Sequence, residues 1–110
     1  MTTAGGSVDF SSTIDGAKDF DISSGSGAVS IAGTVGGDVA LATLDINESS
    51  GAGTISLKDI GDTDTQGVTG TSRIGNDTTT TLTLAGTTYK TDAVTYTTKA
   101  GENIDLTGGA

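Results

Sequence analysis

The chain has 110 residues, 14 acidic and 5 basic side chains, a formal net charge of −9, and no His, Cys, Pro or Trp. Without His or Cys it offers no Ser-His-Asp or Cys-His nucleophile system, no Cys/His zinc site and no disulfide. The basic residues are scattered singly, which argues against a nucleic-acid surface, and no apolar run approaches the roughly 18 to 20 residues that span a bilayer. We therefore expect neither a nucleic-acid partner nor membrane insertion.

Pairs of large apolar residues, separated by one small or polar residue, recur along the chain. In chain order the pairs are Val8/Phe10, Phe20/Ile22, Val29/Ile31, Leu44/Ile46, Ile55/Leu57, Leu82/Leu84, Val94/Tyr96 and Ile104/Leu106. This alternation is typical of half-buried β-strands, and runs rich in Ala, Leu, Glu and Lys that favour helix are absent. The pattern predicts an all-β fold, with only residues 38–42 ambiguous.

Five of these pairs recur at related intervals. Their first members are Val8, Val29, Ile55, Leu82 and Ile104, separated by 21, 26, 27 and 22 residues. A recurrence of roughly 20 to 30 residues, built from short strands and glycine-containing turns, indicates a solenoid. The sequence therefore predicts a parallel β-solenoid of about four to five coils.

A parallel stack makes a specific prediction about register. Each strand pairs with its equivalent one turn later, about 4.8 Å away, so the five first members should form one inward column. The residues that should point to solvent beside this column are Asp9, Ser30, Ser56, Thr83 and Asp105. Loops such as 36–42 and 59–70 must then absorb the unequal repeat lengths. The alternative fold is a bacterial immunoglobulin-like β-sandwich, which also has short strands every 8 to 12 positions.

One acidic segment has the composition of a calcium site. Asp59, Asp62 and Asp64 lie close together in sequence, Gly67 follows, and Asp77 comes ten residues later. Hard oxygen ligands at alternate positions suit Ca²⁺, although no Glu completes an EF-hand loop. We predict a structural calcium site at Asp59, Asp62, Asp64 and Asp77; the alternative interpretation is an ordinary acidic turn.

Two further pairs of residues bear on function. Asp19 and Asp21 flank Phe20 on one strand face, as the paired carboxylates of a glycosidase would, but ordinary strand alternation, with Asp outward beside inward Phe20 and Ile22, is the stronger explanation. We therefore expect no catalytic residues and no enzyme activity. Tyr89 and Tyr96 would form a sugar-stacking surface if exposed, whereas the phase of Tyr96 with Val94 favours a position inside or at the end of the stack.

The segments GGSVDFSSTIDGAKDFDIS and GAVSIAGTVGGDVALATLDI resemble the filamentous-haemagglutinin-like repeats of giant bacterial adhesins. The shared pattern is G-x-[VI]-x-[FIL], a short bend with an I-D-G or V-G-G corner, and a second strand ending in L-x-I. The resemblance implies a right-handed β-helix in a secreted or cell-surface protein, with residues 1–110 as one β-repeat module of a longer extracellular polypeptide.

The resemblance also implies a function. The expected role is that of a non-catalytic stalk or self-associating fibre segment, whose partners are adjacent repeats or further copies of the chain. The alternative is an adhesin domain, stabilised by calcium, that binds a glycan or a host receptor.

Overall fold

The computed structural model describes residues 1–106. Within this range the strands are β1 (Val8–Phe10), β2 (Asp19–Ile22), β3 (Val29–Ile31), β4 (Thr43–Ile46), β5 (Ile55–Leu57), β6 (Val68–Ile74), β7 (Leu82–Leu84), β8 (Thr91–Tyr96) and β9 (Ile104–Asp105). No helix is found in these 106 residues, the ambiguous stretch 38–42 included. A helix long and apolar enough to cross a bilayer is accordingly missing from the described chain. The last four residues of the expected module lie outside the described residues.

The strands form two parallel sheets in which every neighbour is one coil away. One sheet has the order β1-β3-β5-β7-β9 and the other has the order β2-β4-β6-β8. The predicted inward column is confirmed, because each of its residues pairs with the next one along the stack. The order of pairing is Val8, Val29, Ile55, Leu82 and Ile104. The chain is thus a parallel β-solenoid of about four turns. The sandwich alternative is wrong, since a sandwich needs antiparallel strands.

A third side of each coil is held by isolated bridges instead of strands. Ile14 pairs with Val35, Val35 with Ile60, and Ile60 with Tyr89, all in parallel. These residues follow the bend after each strand of the first sheet. Inward residues from three sides therefore meet in the middle of every coil.

The core is a continuous apolar interior that runs along the stack. Its buried members are Val8, Ile14, Ile22, Val29, Ile31, Val35, Leu41, Leu44, Ile46, Ile55, Leu57, Ile60, Val68, Ile74, Leu82 and Leu84. The five residues predicted to face solvent all avoid burial: Asp9 and Asp105 are exposed, and the three hydroxyl residues between them are half-buried. Each coil thus gains its stability mainly from the coils above and below it.

Strand β6 was not expected from the pattern of apolar pairs. Its inward position before Ile74 is occupied by Ser72, which is fully buried and lies 2.9 Å from the hydroxyl oxygen of Thr91. The hydrogen bond lets a small polar side chain take the place of an apolar residue. The stretch 59–70, predicted to be a loop, therefore ends earlier than expected, because its last three residues belong to β6.

Candidate functional site

Two of the aspartates predicted to bind calcium, Asp59 and Asp62, accept hydrogen bonds from backbone amides. Asp59 Oδ1 accepts from the backbone nitrogens of Thr87 and Thr88, at 2.7 and 3.0 Å, one coil further along the chain. Asp62 Oδ1 accepts from the backbone nitrogens of Asp64 and Thr65, at 2.8 and 2.7 Å, within its own turn. These two amide hydrogen bonds lower the pKa of Asp62 below its ordinary value.

The fourth predicted ligand lies at a different corner of the coil. Asp77 is in the turn between β6 and β7, whereas Asp59, Asp62 and Asp64 lie between β5 and β6. In the part of the chain that the structure describes, no three acidic side chains are grouped so that they could hold a metal ion. Calcium binding stays a prediction, and Asp59 and Asp62 have a structural explanation in capping turns.

Asp15 has a role that the sequence analysis missed. Its Oδ1 accepts from the backbone nitrogens of Asp38 and Val39, at 2.9 and 3.0 Å, in the following coil. These bonds lower the pKa of Asp15, with the amide of Val39 contributing most. Asp15 and Asp59 thus have the same structural role, since each carboxylate accepts backbone hydrogen bonds from a corner of the next coil.

A buried polar column fills another corner, between the second sheet and the first. Asn47 accepts from the backbone nitrogen of Ser24 at 2.8 Å and donates to the Ser24 hydroxyl at 2.9 Å. Asn76, one coil later, donates through Nδ2 to the backbone oxygens of Asn47 and Gly51, at 2.6 and 2.9 Å. The three side chains are 0, 2 and 7% exposed. They satisfy backbone groups that would otherwise be buried without partners.

The outward face of the four-stranded sheet carries the main charged group. Asp21, Asp45 and Arg73 occupy the same register on neighbouring strands. Arg73 makes a bidentate contact with Asp45, at 2.8 Å for both nitrogens, and its Nη1 lies 3.9 Å from Glu48. The hydrogen bond and charge of Asp45 raise the pKa of Arg73. The arginine thus offsets repulsion between carboxylates that the parallel register brings together.

Asp19, the other carboxylate of the predicted acidic pair, is engaged with a neighbouring strand. Its Oδ1 accepts from the hydroxyl of Thr43 at 2.9 Å, and the two residues share one register position. Asp19 and Asp21 both point outward on β2, where strand alternation places them. The strand geometry alone therefore accounts for their position.

The two tyrosines pack against the core at the last complete coil. The hydroxyl oxygen of Tyr89 accepts from the backbone nitrogen of Gly86 at 2.8 Å. The hydroxyl of Tyr96 is buried and has no hydrogen-bond partner among residues 1–106, and burial raises the pKa of Tyr96 to about 12. Both rings therefore lie inside or at the end of the stack, as the alternation of Tyr96 with Val94 predicts.

Both ends of the solenoid leave apolar residues partly exposed, and Met1, in the first coil, is 61% exposed. In the first coil, the rings of Phe10 and Phe20 pack edge to face, with centroids 5.6 Å apart. At the other end, Val94, Ile104 and Leu106 are 39, 41 and 53% exposed. An open cavity of about 560 Å³ beside them is lined by Thr81, Glu102, Asn103, Ile104, Asp105 and Leu106. Three of the five large hydrophobic residues exposed among residues 1–106 therefore lie at the C-terminal end.

Comparison with known proteins adds no assignment, because no protein-family model, no curated protein and no solved structure matches this chain. The likeness to adhesin repeats thus rests on the residue pattern alone. The structure supports the coarser part of that likeness, a β-solenoid of about four turns.

Proposed function

We propose that this chain is a structural and adhesive module of a bacterial surface or secreted fibrous protein, without a catalytic role. The observation that carries the proposal is the unbroken inward column from Val8 to Ile104, in which each coil rests on the next. A stack of this kind supplies length, and it can be extended by adding coils. Extension and display are the functions for which such an architecture is suited.

The use of the polar side chains supports the same proposal. Asp15 and Asp59 cap a neighbouring coil, and Asn47 and Asn76 fill a buried corner. Polar groups held in this way contribute rigidity and coil-to-coil register. These carboxylate and amide side chains therefore serve as parts of the scaffold.

The alternative function, glycan or receptor binding, needs an accessible recognition surface. Aromatic rings that stack on sugars would have to point outward, but Tyr89 and Tyr96 pack on the core. The stalk role is therefore preferred. A glycan array probed with the 110-residue chain tests the alternative, since reproducible binding of a defined glycan would favour a recognition module over a stalk.

The proposed location is the bacterial cell surface or the secreted fraction. Antibodies raised against the folded chain should label intact cells of the source bacterium, and external protease should remove the signal. An antibody against a cytoplasmic protein serves as the control for cell integrity. Labelling that appears only after permeabilisation would contradict the proposal.

A further inference from the structure

We propose that Asp15 is a site of spontaneous covalent modification, at which the linkage between Asp15 and Gly16 converts to isoaspartate when the surrounding contact opens. That contact, called the Asp15 corner below, consists of Asp15 and Gly16 in the first coil and Asp38 and Val39 in the second. The inference goes beyond the proposed function and does not depend on it, because it concerns the chemistry of one dipeptide.

The sequence singles out this dipeptide. Of the twelve aspartates in the chain, Asp15 alone precedes a glycine, Asp92 precedes an alanine, and the other ten precede larger side chains. Glycine has no Cβ, so its backbone nitrogen can be approached closely by the carboxyl group of the preceding residue. A larger side chain at the same position shields that nitrogen. Asp15 is therefore the aspartate whose side chain is best placed to react with the main chain.

The reaction is intramolecular and needs no reagent other than water. The backbone nitrogen of Gly16 attacks Cγ of Asp15, and the hydroxyl of the neutral carboxyl group leaves with the proton of the nitrogen as one water molecule. The product is a five-membered succinimide ring. Water then adds to one of its two carbonyl carbons: opening at Cγ restores aspartate, and opening at the α-carbonyl leaves the main chain running through Cγ. One water molecule leaves and one enters, so isoaspartate has the mass of the original chain.

In the folded chain both reacting groups are bound to the second coil. Asp15 Oδ1 accepts from the backbone nitrogens of Asp38 and Val39 at 2.9 and 3.0 Å, and the nitrogen of Gly16 donates to the backbone oxygen of Val39 at 3.1 Å. The two amide bonds also lower the pKa of Asp15, which keeps its carboxyl group in the ionised form that has no hydroxyl to lose. The closed corner therefore protects the dipeptide from ring closure.

The Asp15 corner has the features of a segment that opens locally. Asp15, Asp38 and Val39 are exposed, and the corner lies between strands on both coils. Apart from its two sequence neighbours, no atom of the described chain lies within 4 Å of a Cβ built on Gly16. Exposed hydrogen bonds with little apolar burial around them open far more readily than the core does. Each opening frees the carboxyl group and the nitrogen at the same time.

The modification removes the contact that protects against it. In isoaspartate the main chain at residue 15 is one carbon longer, and the free carboxylate is the former α-carboxyl group, attached directly to Cα. A carboxylate in that position no longer lies where Oδ1 accepts from the amides of Asp38 and Val39. The conversion therefore releases this corner of the first coil from the second, and the release is permanent.

The test compares the folded 110-residue chain with its own tryptic peptide 1–18, incubated at the same temperature and mildly acidic pH. The peptide also contains Asp9, which precedes phenylalanine and serves as the internal control. Digestion with an endoprotease that cuts before aspartate but not before isoaspartate, followed by mass spectrometry, gives the converted fraction. In the peptide we expect conversion at Asp15 and not at Asp9. In the folded chain conversion at Asp15 should be at least about tenfold slower.

Hydrogen exchange of the Gly16 amide provides a quantitative check, because its nitrogen is the atom that attacks. Exchange of this proton and closure of the ring both require the hydrogen bond to Val39 to break, so both draw on the same open state. The slowing of conversion in the folded chain should match the protection of this amide against exchange within about threefold. A larger mismatch would show that opening of the Asp15 corner does not control the reaction.

Two substitutions at one position test the role of the contact. Val39→Pro removes a backbone donor to Asp15 and should speed conversion about fivefold, the effect of one lost hydrogen bond. Val39→Ala keeps that donor and should leave the rate unchanged, and circular dichroism checks that both variants fold. If Val39→Pro does not fold, the comparison with hydrogen exchange decides the matter. Conversion as fast in the folded chain as in peptide 1–18, no conversion in the peptide, or equal acceleration by both variants would each overturn the inference.

Discussion

At the scale of single residues, glycine determines how closely adjacent coils approach. A Cβ atom built on Gly27 would lie 2.3 Å from the backbone oxygen of Gly6, and one on Gly53 would lie 2.0 Å from that of Gly27. No side chain fits at such distances, so Gly27 and Gly53 must be glycine for reasons of space. The reason is not backbone conformation, because neither residue has a positive φ, and nor does Gly6. Gly6 itself lies at the end of this column and has room for a Cβ.

The glycine column allows a matched comparison of two identical substitutions. Gly53→Ala should lower the free energy of unfolding by about 2 kcal/mol, because the new methyl group must push one coil away from the next. Gly6→Ala should change it by less than about 0.5 kcal/mol, since alanine also restricts the unfolded chain. Urea unfolding of both variants checks the prediction, and equal effects would show that the coil spacing does not depend on this contact.

The carboxylate of Asp15 makes stability depend on pH. Its two backbone hydrogen bonds lower the folded-state pKa below the ordinary value of 3.8, so the stabilisation is present above that value and is lost as the pH falls through the folded-state pKa. Asp15→Asn should be less stable than the unsubstituted chain at neutral pH. The difference should shrink below pH 3.8. Unfolding curves at several pH values test this, and a difference independent of pH would contradict it.

At the scale of elements, the buried corner of Asn47 and Asn76 shows how polar groups hold the coils together. Asn76→Ala leaves the backbone oxygens of Asn47 and Gly51 without the Nδ2 donor, and the backbone nitrogen of Thr78 without its acceptor. We expect a loss of about 2 kcal/mol in the free energy of unfolding, the usual cost of buried groups left unsatisfied. Exposed Asn103→Ala is the control and should be nearly neutral. A small effect at Asn76 would mean that water replaces the amide.

The first sheet could be predicted from the sequence because apolar residues mark both inward positions of most of its strands. Val8, Ile55 and Leu82 are large, recur at related intervals and align in the observed register. The second sheet was less visible, since β6 places Ser72 at an inward position and thus breaks the pattern. Its partner, Thr91, is 19 residues away, so no local pattern shows that the serine is satisfied.

The roles of the carboxylates could not be predicted for a similar reason. Asp15 and Asp59 bond to amides 23 to 29 residues further on, and these contacts exist only once the coils are stacked. Sequence proximity instead grouped Asp77 with Asp59 as a calcium site, although β6 separates their corners. The hand of the solenoid stays a prediction, because strand order and register do not define it.

At the scale of the whole molecule, the excess of acidic residues opposes folding. The parallel register brings carboxylates into adjacent positions, as it does for Asp21 and Asp45, while the chain carries a net charge of −9. Sodium chloride should therefore raise the melting temperature by screening this repulsion. Calcium chloride at equal ionic strength tests the predicted calcium site: a bound ion would raise the melting temperature further, and Asp62→Asn would remove that extra rise.

The buried corner formed by Asn47 and Asn76 affects the choice of host for recombinant expression. Asn47-Glu48-Ser49 and Asn76-Asp77-Thr78 both match the acceptor motif for N-linked sugars, yet the two asparagines are only 2 and 7% exposed. A eukaryotic secretory pathway that attached a glycan to either amide would have to do so before the chain folds, and the bulky sugar could not then enter the corner. Expression in such a host should yield glycosylated chains that fail to assemble this solenoid, so bacterial production is the route to the native fold.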